Sequence, residues 1–307
     1  MLILESVIRF KRPQMKVTGF TIIRNAIKFD YPVMEAIQSI LPICDEFVVS
    51  VGNSDDDTKK LIQSIQSPKI KIIDSVWDDA KRVGGVVLSI ETNKAFDAIA
   101  ADGDWCFYIQ SDECVHENDL DTIKEAMLKY KDDKMVDGLL FGYKHFYGHY
   151  DYIGLGRRWY SKEIRVIKNN KSIRSYKDAQ GFRTANDQKL KVIEIDAFIY
   201  HYGWVKSPKA QQAKQENFHK MWHDDEWMKK NIEATEEFDY NSIDFLEVYK
   251  GSHPQVYKQR IDNMPQRFVY DKTKVTIPLK NRLLYFIENL TGWRLGENKN
   301  YIVLNRK

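Results

Sequence analysis

The sequence predicts an α/β protein in which helices flank a mostly parallel β-sheet. Two observations predict this class. Short runs rich in β-branched and aromatic residues alternate with segments whose apolar residues recur at helical spacing. The fourth of these runs, at residues 105–109, is apolar or aromatic along its whole length, which is typical of a strand buried on both faces. Strands and helices that alternate in this way form a parallel sheet with right-handed crossovers.

The first part of the chain supplies the alternating elements. The predicted strands lie at residues 17–23, 47–51, 70–73 and 105–109. Pro32 begins the first predicted helix, because proline fits the first turn and apolar residues follow it at helical spacing. The next helices are predicted after the polar turn at residues 52–58 and at residues 89–101, and a fourth presents Ile123 and Met127 on its apolar face.

The second half of the chain has a different character. Residues 136–202 are rich in strand-forming and aromatic residues and predict later, partly antiparallel strands whose loops wall a cleft. Pro208 begins a predicted long polar helix that ends near residue 231, and residues 280–290 form a predicted amphipathic helix. We therefore expect one large α/β domain over residues 15–207 and a helical C-terminal extension over residues 208–307.

Charge and cysteine usage narrow the function classes. The 47 basic and 44 acidic residues give a net charge of +3, so a nucleic acid is not an expected partner. The three cysteines follow no disulfide or metal-binding spacing, and their odd number suits a reducing cytoplasm. No apolar run is long enough to span a bilayer, and the N-terminal segment lacks the order of a signal peptide. We therefore expect a cytoplasmic protein.

Three questions stay open at this point. The basic start and apolar face of residues 280–290 also fit a helix that lies on a membrane, so peripheral contact with the inner face of the membrane is an alternative to packing on the main domain. Met15 is an alternative native start, with residues 1–14 as an extension. The sequence does not indicate an oligomeric state.

Polar residues that follow the strands are the candidates for a functional site, because ligands of open α/β sheets bind beyond the carboxyl ends of the strands. They are Arg24 with Asn25, residues 53–57, Asp112 with Glu113, and His201. The strand at residues 105–109 runs almost directly into two carboxylates, and hard oxygen ligands suit Mg²⁺ or Mn²⁺ with a diphosphate. A solvated acidic turn before the next helix is the alternative interpretation.

The motif after the fourth strand resembles part of a known family. The segment YIQSDE at residues 108–113, preceded by GDW, is similar to the metal-binding turn of family 2 glycosyltransferases, whose usual form is a strand ending in Asp-Ala-Asp-Glu. Further motifs match that family in the same order: Arg24 and Asn25 after the first strand, Ser54, Asp56 and Thr58 in a Ser-x-Asp-x-Thr turn, and Asn93 on the helix before the metal strand. The resemblance covers about residues 16–215 and implies a GT-A fold, a Rossmann-like, mostly parallel sheet flanked by helices.

The resemblance implies an inverting glycosyltransferase that uses a UDP- or GDP-sugar donor and Mn²⁺ or Mg²⁺. The acceptor it implies is a hydroxyl of a glycan or of a lipid-linked precursor, in cell-envelope polysaccharide synthesis. The metal ligands it implies are Asp112, Glu113 and His201. The donor-binding residues predicted from the strand-end positions and the resemblance are Arg24, Asn25, Asn53, Ser54, Asp56, Asn93, Gln110 and Ser111. A histidine packed among aromatic residues is the alternative for His201.

The sequence departs from the family at several places. Gln110 replaces the first aspartate of the metal turn, and its neutral amide suits a hydrogen bond to a ribose or to water. Val51 and Gly52 stand where the family often has aspartates that hold the base, so the base stays open. Thr92 stands in the place of an arginine that contacts the donor.

An inverting transfer needs a carboxylate that removes the proton of the acceptor hydroxyl. Asp178 and Glu163 lie in the right stretch, between the metal turn and His201. Asp178 is preferred because it lies in a polar segment before Gly181, whereas Glu163 is spaced to pair with Arg165 on one strand face. A surface carboxylate is the alternative for each.

Aromatic residues at 143–160 fit a carbohydrate acceptor site, since aromatic faces cover the apolar side of a sugar; core packing explains the same composition equally well. Two other functions remain as alternatives. One is a non-catalytic nucleotide-sugar or carbohydrate-binding protein, which the loss of an aspartate at position 110 favours. The other is a sugar-phosphate nucleotidyltransferase, although the first strand is followed by no glycine-rich turn.

Overall fold

The computed structural model describes residues 15–81, 83–231, 235–240, 245–264, 268–271, 279–291 and 294–305. The question of the native start concerns residues 1–14, which lie outside this set.

The first four strands form a parallel half-sheet, as predicted. They are β1 (Val17–Ile23), β2 (Glu46–Gly52), β3 (Ile70–Ser75) and β4 (Trp105–Tyr108). Their order is β3-β2-β1-β4, and every neighbouring pair is parallel. Because β1 lies in the centre, all seven of its residues are buried. The carboxyl ends of these strands therefore meet at one edge.

Helices cover both faces of this half-sheet. They are α1 (Val33–Ile40), α2 (Thr58–Gln63), α3 (Val86–Asp97) and α4 (Leu120–Lys129). The third helix begins three residues earlier than predicted, because Gly85 precedes it in the left-handed region, at φ 69°. It ends at Asp97, before the predicted end at residue 101. The helices α1 and α4 pack into one apolar core and α3 into another, on opposite faces of the strands.

Nine further strands are described after β4; seven of them extend the main sheet, and the two at residues 173–184 pair with each other as a separate two-stranded sheet. The nine are β5 (Glu113–Val115), β6 (Gly138–Tyr147), β7 (His149–Gly154), β8 (Lys162–Lys168), β9 (Ile173–Tyr176), β10 (Gly181–Thr184), β11 (Leu190–Trp204), β12 (Leu246–Val248) and β13 (Tyr301–Val303). The main sheet continues through β8, β6, β7 and β12, and β8 is antiparallel to both β4 and β6. The long strand β11 runs parallel to β6 and antiparallel to β5. The later strands are thus partly antiparallel, as predicted, and the α/β class is confirmed.

The described part of the chain after residue 207 consists mainly of helices. They are α5 (Pro208–Lys220), α6 (Asp225–Asn231), α7 (Lys258–Asp262) and α8 (Leu279–Thr291). Both described strands of this region join the main sheet, β12 beside β7 and β13 beside β11. The division at residue 207 stays a prediction. Within the described part of the chain, no helix is long and apolar enough to cross a membrane.

The prediction of a single helix from Pro208 to about residue 231 was wrong. The chain leaves the helical conformation after Lys220 and resumes it at Asp225. Asp224 explains the new start, because its carboxylate accepts the backbone N–H of Trp227 at 2.8 Å, as an N-cap does.

Candidate functional site

A cleft of about 600 Å³ opens where β1 and β4 end. We call it the central cleft. The predicted site residues that line it are Arg24, Asn25, Gln110, Ser111, Asp112, Asp178 and His201. Six other predicted residues are not among the lining residues, and these are Asn53, Ser54, Asp56, Asn93, Glu113 and Glu163. The expectation that ligands bind beyond the carboxyl ends of the strands therefore located the cleft, but only some of the predicted residues line it.

Asp112 lies in the central cleft with two basic partners. Its Oδ2 accepts a hydrogen bond from Lys214 Nζ at 2.9 Å, and its Oδ1 lies 3.7 Å from His201 Nε2. Lys214 also donates to the carbonyl of Gly203 at 2.8 Å. Burial alone would raise the pKa of the Asp112 carboxyl, but the positive charge of Lys214 and its hydrogen bond to the carboxylate lower it below its usual value. Asp112 is therefore a buried carboxylate that is ionised at neutral pH.

Lys214 was missed by the sequence analysis. It lies on α5, 102 residues from Asp112 along the chain. The available signal was its helical spacing with Phe218 and Met221, which line the same cleft. This signal was weak, because the helix is polar overall and carries other lysines at its exposed positions.

His201 is oriented by a second histidine, His145 on β6, which the sequence analysis counted only as part of an aromatic segment. The two Nδ1 atoms lie 3.2 Å apart, and His145 Nε2 lies 2.9 Å from the carbonyl oxygen of Tyr160. Burial lowers the pKa of both imidazoles, so both rings are neutral near pH 7. A carbonyl only accepts, so His145 donates from Nε2 and accepts at Nδ1. His201 must then donate from Nδ1, and its Nε2 lone pair points to the Asp112 side.

Glu113 points away from the central cleft. Its side chain is fully buried, and its two oxygens accept hydrogen bonds from Arg165 at 2.7 and 2.8 Å. The hydroxyl of Tyr143 donates to Oε1 at 2.7 Å, and the backbone N–H of Gln110 donates to Oε2 at 3.0 Å. These four bonds occupy the carboxylate, so the structure does not bring Glu113 together with Asp112 and His201 as a metal ligand. Across the described ranges, no group of three or more His, Cys, Asp or Glu side chains is arranged to hold a metal ion.

The two candidate bases are separated by the fold. Asp178 lines the central cleft, and burial raises the pKa of its carboxyl. Glu163 lies on β8 with 2% of its surface exposed, and its Oε1 accepts the backbone N–H of Ile164 at 3.0 Å. Burial raises the pKa of Glu163 to about 7. The predicted pairing of Glu163 with Arg165 was wrong, because the Arg165 fork binds Glu113.

Several predicted donor residues connect the loops around the cleft. Asn25, at φ 56°, donates its N–H to Ser54 Oγ at 3.0 Å and accepts the N–H of Asp55 at Oδ1, at 2.7 Å. Asp56 accepts the N–H groups of Lys28 at 2.8 Å and of Thr58 at 3.0 Å. These bonds fix the turn after β1 against the turn after β2.

Asn53 and Asn93 make similar links. Asn53 Oδ1 accepts the backbone N–H of Trp77 at 3.0 Å, and Asn93 Oδ1 accepts that of Ser175 at 2.9 Å, which ties α3 to β9. Arg24 enters the cleft beside Trp77 and forms a two-pronged pair with Asp79 at 2.5 and 3.1 Å. Trp77 was also missed by the sequence analysis, since it follows the least buried of the parallel strands.

Comparisons with known proteins reach only distant similarity. No protein-family description matches the sequence, and no curated protein matches it. Among solved structures, the chain is similar to TarS from S. aureus, with 15% identity over 72% of this chain and 41% of that one, at a TM-score of 0.39. TarS 1-349 from S. aureus in complex with UDP shows 14% identity over 72% of this chain and 68% of that one, also at 0.39.

Glucosyl-3-phosphoglycerate synthase from Mycobacterium tuberculosis, in complex with Mn²⁺, UDP and glucosyl-3-phosphoglycerate, shows 16% identity over 43% of this chain and 44% of that one, at a TM-score of 0.28. The chain thus spans 41% of the length of the full TarS structure. These similarities are too distant to assign a role to any residue.

The buried pair of Glu113 and Arg165 gives a stability prediction. Glu113→Gln keeps the shape of the side chain but leaves the Arg165 guanidinium buried without a counterion. We expect the free energy of unfolding to fall by about 3–5 kcal/mol. Urea denaturation at neutral pH, followed by circular dichroism, measures this change.

An exposed pair supplies the control. Asp262→Asn removes the surface partner of Lys258, at 2.7 Å, and should lower the free energy of unfolding by less than about 1 kcal/mol. Equal losses in the two variants would contradict the view that the buried pair organises the structure.

Proposed function

We propose that the chain is an inverting glycosyltransferase, which transfers a sugar from a nucleotide diphosphate donor to a hydroxyl of a glycan or lipid-linked acceptor. One observation carries the proposal: Asp112, His201 and Lys214 meet at the ends of the parallel strands, and the Asp178 carboxylate lines the same cleft. A group that neutralises a leaving diphosphate and a separate base for a hydroxyl are the two parts that such a transfer needs. A role in polysaccharide synthesis is supported by the sequence resemblance alone.

The donor atoms at Asp112 fit a divalent metal. Asp112 Oδ1 and the lone pair of His201 Nε2 lie 3.7 Å apart, with no proton between them. Metal–ligand bonds of about 2.0–2.2 Å let two atoms at this distance share one ion. Mg²⁺ and Mn²⁺ sites of nucleotide enzymes commonly use one or two protein ligands and complete their shell with phosphate oxygens and water. We therefore propose Asp112 and His201 as the protein ligands, without Glu113.

A bound metal would stabilise the negative charge that develops on the leaving diphosphate. The protein itself contributes Lys214, which lies against Asp112 and lines the same cleft, so its ammonium group is placed to donate to a phosphate oxygen. Lys206 adds to the positive potential, although burial lowers its pKa to about 7. These groups supply the cationic end of the donor site.

The nucleoside is proposed to lie on the β1 and β3 side of the cleft, beside Arg24 and Trp77. The indole of Trp77 covers Gly52, and a Cβ at that position would lie 2.5 Å from its Nε1. The Nε1 atom is buried and faces Gly52, so the indole offers the nucleoside apolar ring surface rather than its N–H group. Trp77 thereby takes the space where the resembling family has a base-binding aspartate. UDP and GDP both remain candidates.

Asp178 is proposed as the catalytic base. Its carboxylate takes the proton of the acceptor hydroxyl while the hydroxyl oxygen bonds to the anomeric carbon and the bond to the diphosphate oxygen breaks. Attack from the face opposite the leaving group inverts the configuration. Glu163 is buried outside the cleft lining, so it is the weaker candidate.

The acceptor is proposed to bind beside Trp159, Tyr160 and Trp204, which line the central cleft. A second cavity of about 790 Å³ shares His145, Trp159 and Tyr160 with the central cleft and extends toward α8. Aromatic faces of this kind pack on sugar rings. Other aromatic residues of the same segment, Phe146 and Tyr147, are buried and pack as core.

The cytoplasmic location and peripheral membrane contact stay proposals. On α8, Leu283, Phe286 and Leu290 are exposed at helical spacing, which suits an interfacial helix.

Nucleotide binding tests the donor site. We expect UDP or GDP to bind the wild type in the presence of Mn²⁺, at least about tenfold more weakly without it, and not measurably to Asp112→Asn. Isothermal titration calorimetry with each nucleotide, with and without Mn²⁺, measures these affinities.

Asp121→Asn is the matched control, because that carboxylate is exposed on α4 outside the central cleft. Absence of nucleotide binding under every condition would refute the transferase proposal. Metal-dependent binding without transfer to any acceptor would instead favour the non-catalytic binding protein.

Asp178→Asn tests the base. We expect kcat to fall about 10²–10⁴-fold, with nucleotide affinity within about twofold of wild type, because the variant lacks only the proton acceptor. The wild-type kcat should be lost as the pH falls, with a midpoint above about 3.9, the ordinary pKa of aspartate, since burial raises the pKa of Asp178. Glu163→Gln should retain transfer; the opposite ranking of the two variants would reassign the base.

Lys214→Met tests how the lysine and the metal share Asp112. In the absence of nucleotide, Lys214 occupies Asp112 Oδ2, so its removal should increase the affinity for Mn²⁺ alone by about tenfold. Electron paramagnetic resonance of free Mn²⁺ gives the dissociation constant. Lys209→Met, on the exposed start of α5, should leave it unchanged. Weaker Mn²⁺ binding in Lys214→Met would mean that the lysine does not compete with the metal.

A further inference from the structure

Asp178 lies in a turn with an unusual backbone. Its neighbours Lys177 and Ala179 both adopt the left-handed region, at φ 52° and φ 62°. Residues with a Cβ rarely adopt this conformation, because the Cβ comes too close to the following carbonyl oxygen. Two such residues on either side of one carboxylate form a strained turn. A turn of this kind persists only where its surroundings hold it, and such strain is concentrated at functional sites.

Two side chains hold the carbonyl groups of this turn. Gln110 Nε2 donates to the carbonyl of Ala179 at 3.1 Å, and Arg165 Nη1 donates to the carbonyl of Gln180 at 2.7 Å. Gln110 follows β4, and Arg165 lies on β8, so both donors come from the rigid sheet. Glu113 aligns the two donors, because it binds the Arg165 guanidinium and the backbone N–H of Gln110.

We infer that Gln110 and Arg165 are positioning residues, which hold the strained turn at residues 177–179 and so direct the Asp178 carboxylate into the central cleft. This inference rests on the proposed function, in which Asp178 is the base. It also gives a physical reason for the departure from the family at position 110. A carboxylate only accepts hydrogen bonds, so an aspartate could not hold the Ala179 carbonyl, whereas the glutamine amide donates to it.

Gln110→Met tests the inference without altering any charge, because both side chains are neutral and similar in length. This matters because Lys177, Arg165 and Glu163 all influence the Asp178 carboxyl electrostatically. We expect kcat to fall about tenfold, while the donor KM and the nucleotide dissociation constant stay within about twofold of wild type. The midpoint of the acidic loss of kcat should move to lower pH, as the released carboxyl becomes hydrated.

A second substitution supplies a compensating variant. Glycine adopts the left-handed region without steric penalty, so Ala179→Gly should need less support from Gln110. In the Gln110→Met background, Ala179→Gly should restore kcat to within about threefold of wild type. Ala185→Gly, an exposed alanine of the same hairpin without positive φ, should not restore it.

The outcomes separate this inference from the proposed function. If Gln110→Met weakens nucleotide binding and Ala179→Gly does not restore kcat, Gln110 contacts the donor and the inference is overturned. If the wild type binds no nucleotide, the proposed function fails. The turn is then tested by ¹³C NMR titration of the Asp178 carboxyl: its pKa should fall in Gln110→Met and return in the double variant, and an unchanged pKa overturns the inference.

Discussion

The cleft depends on the buried pair between Glu113 and Arg165. Removing two charges from water is unfavourable, and the pair is tolerated because the two groups satisfy each other's hydrogen-bonding capacity almost completely. Glu113 accepts four hydrogen bonds, and Arg165 donates two further ones to the carbonyls of Ile164 and Gln180. The pair joins the turn after β4, the strands β6 and β8, and the turn that carries Asp178. This buried pair thereby fixes the turn after β4 relative to the turn that carries Asp178.

The charge around Asp112 has a different physical character. The protein as a whole is nearly neutral, yet Lys206 and Lys214 are both buried close to this carboxylate. Like charges that are gathered in a desolvated place raise each other's free energy, and burial with Lys214 lowers the pKa of Lys206. An anionic ligand relieves this repulsion. In the proposed function, that ligand is the diphosphate of the donor.

Much of the fold could be predicted because strand and helix periodicity is local. The four parallel strands, the central carboxylate turn and the amphipathic helix at α8 were all found from short segments. The break after Lys220 was missed although Asp224 is a preferred N-cap residue, since the polar sequence on either side supports a continuous helix equally well. Local patterns therefore failed where two local preferences competed.

The candidate site was harder to predict because its contacts join distant segments. Spacing along one strand paired Arg165 with Glu163, whereas the folded chain pairs it with Glu113, 52 residues away. Lys214 contacts Asp112 because α5 packs beside the cleft, and His145 contacts His201 because β6 pairs with β11. Only the three-dimensional arrangement distinguishes such partners from the many similar residues in the sequence.

The stacking of Trp77 over Gly52 constrains how this lineage can change. The indole is almost fully buried, so it cannot move aside for a side chain at position 52. Gly52→Asp alone would place a Cβ 2.5 Å from the indole nitrogen, and a smaller residue at position 77 alone would leave a hole. Each single replacement is therefore unfavourable, and positions 52 and 77 are expected to covary among homologous sequences. A change from glycine to aspartate at position 52 requires a smaller residue at position 77 at the same time.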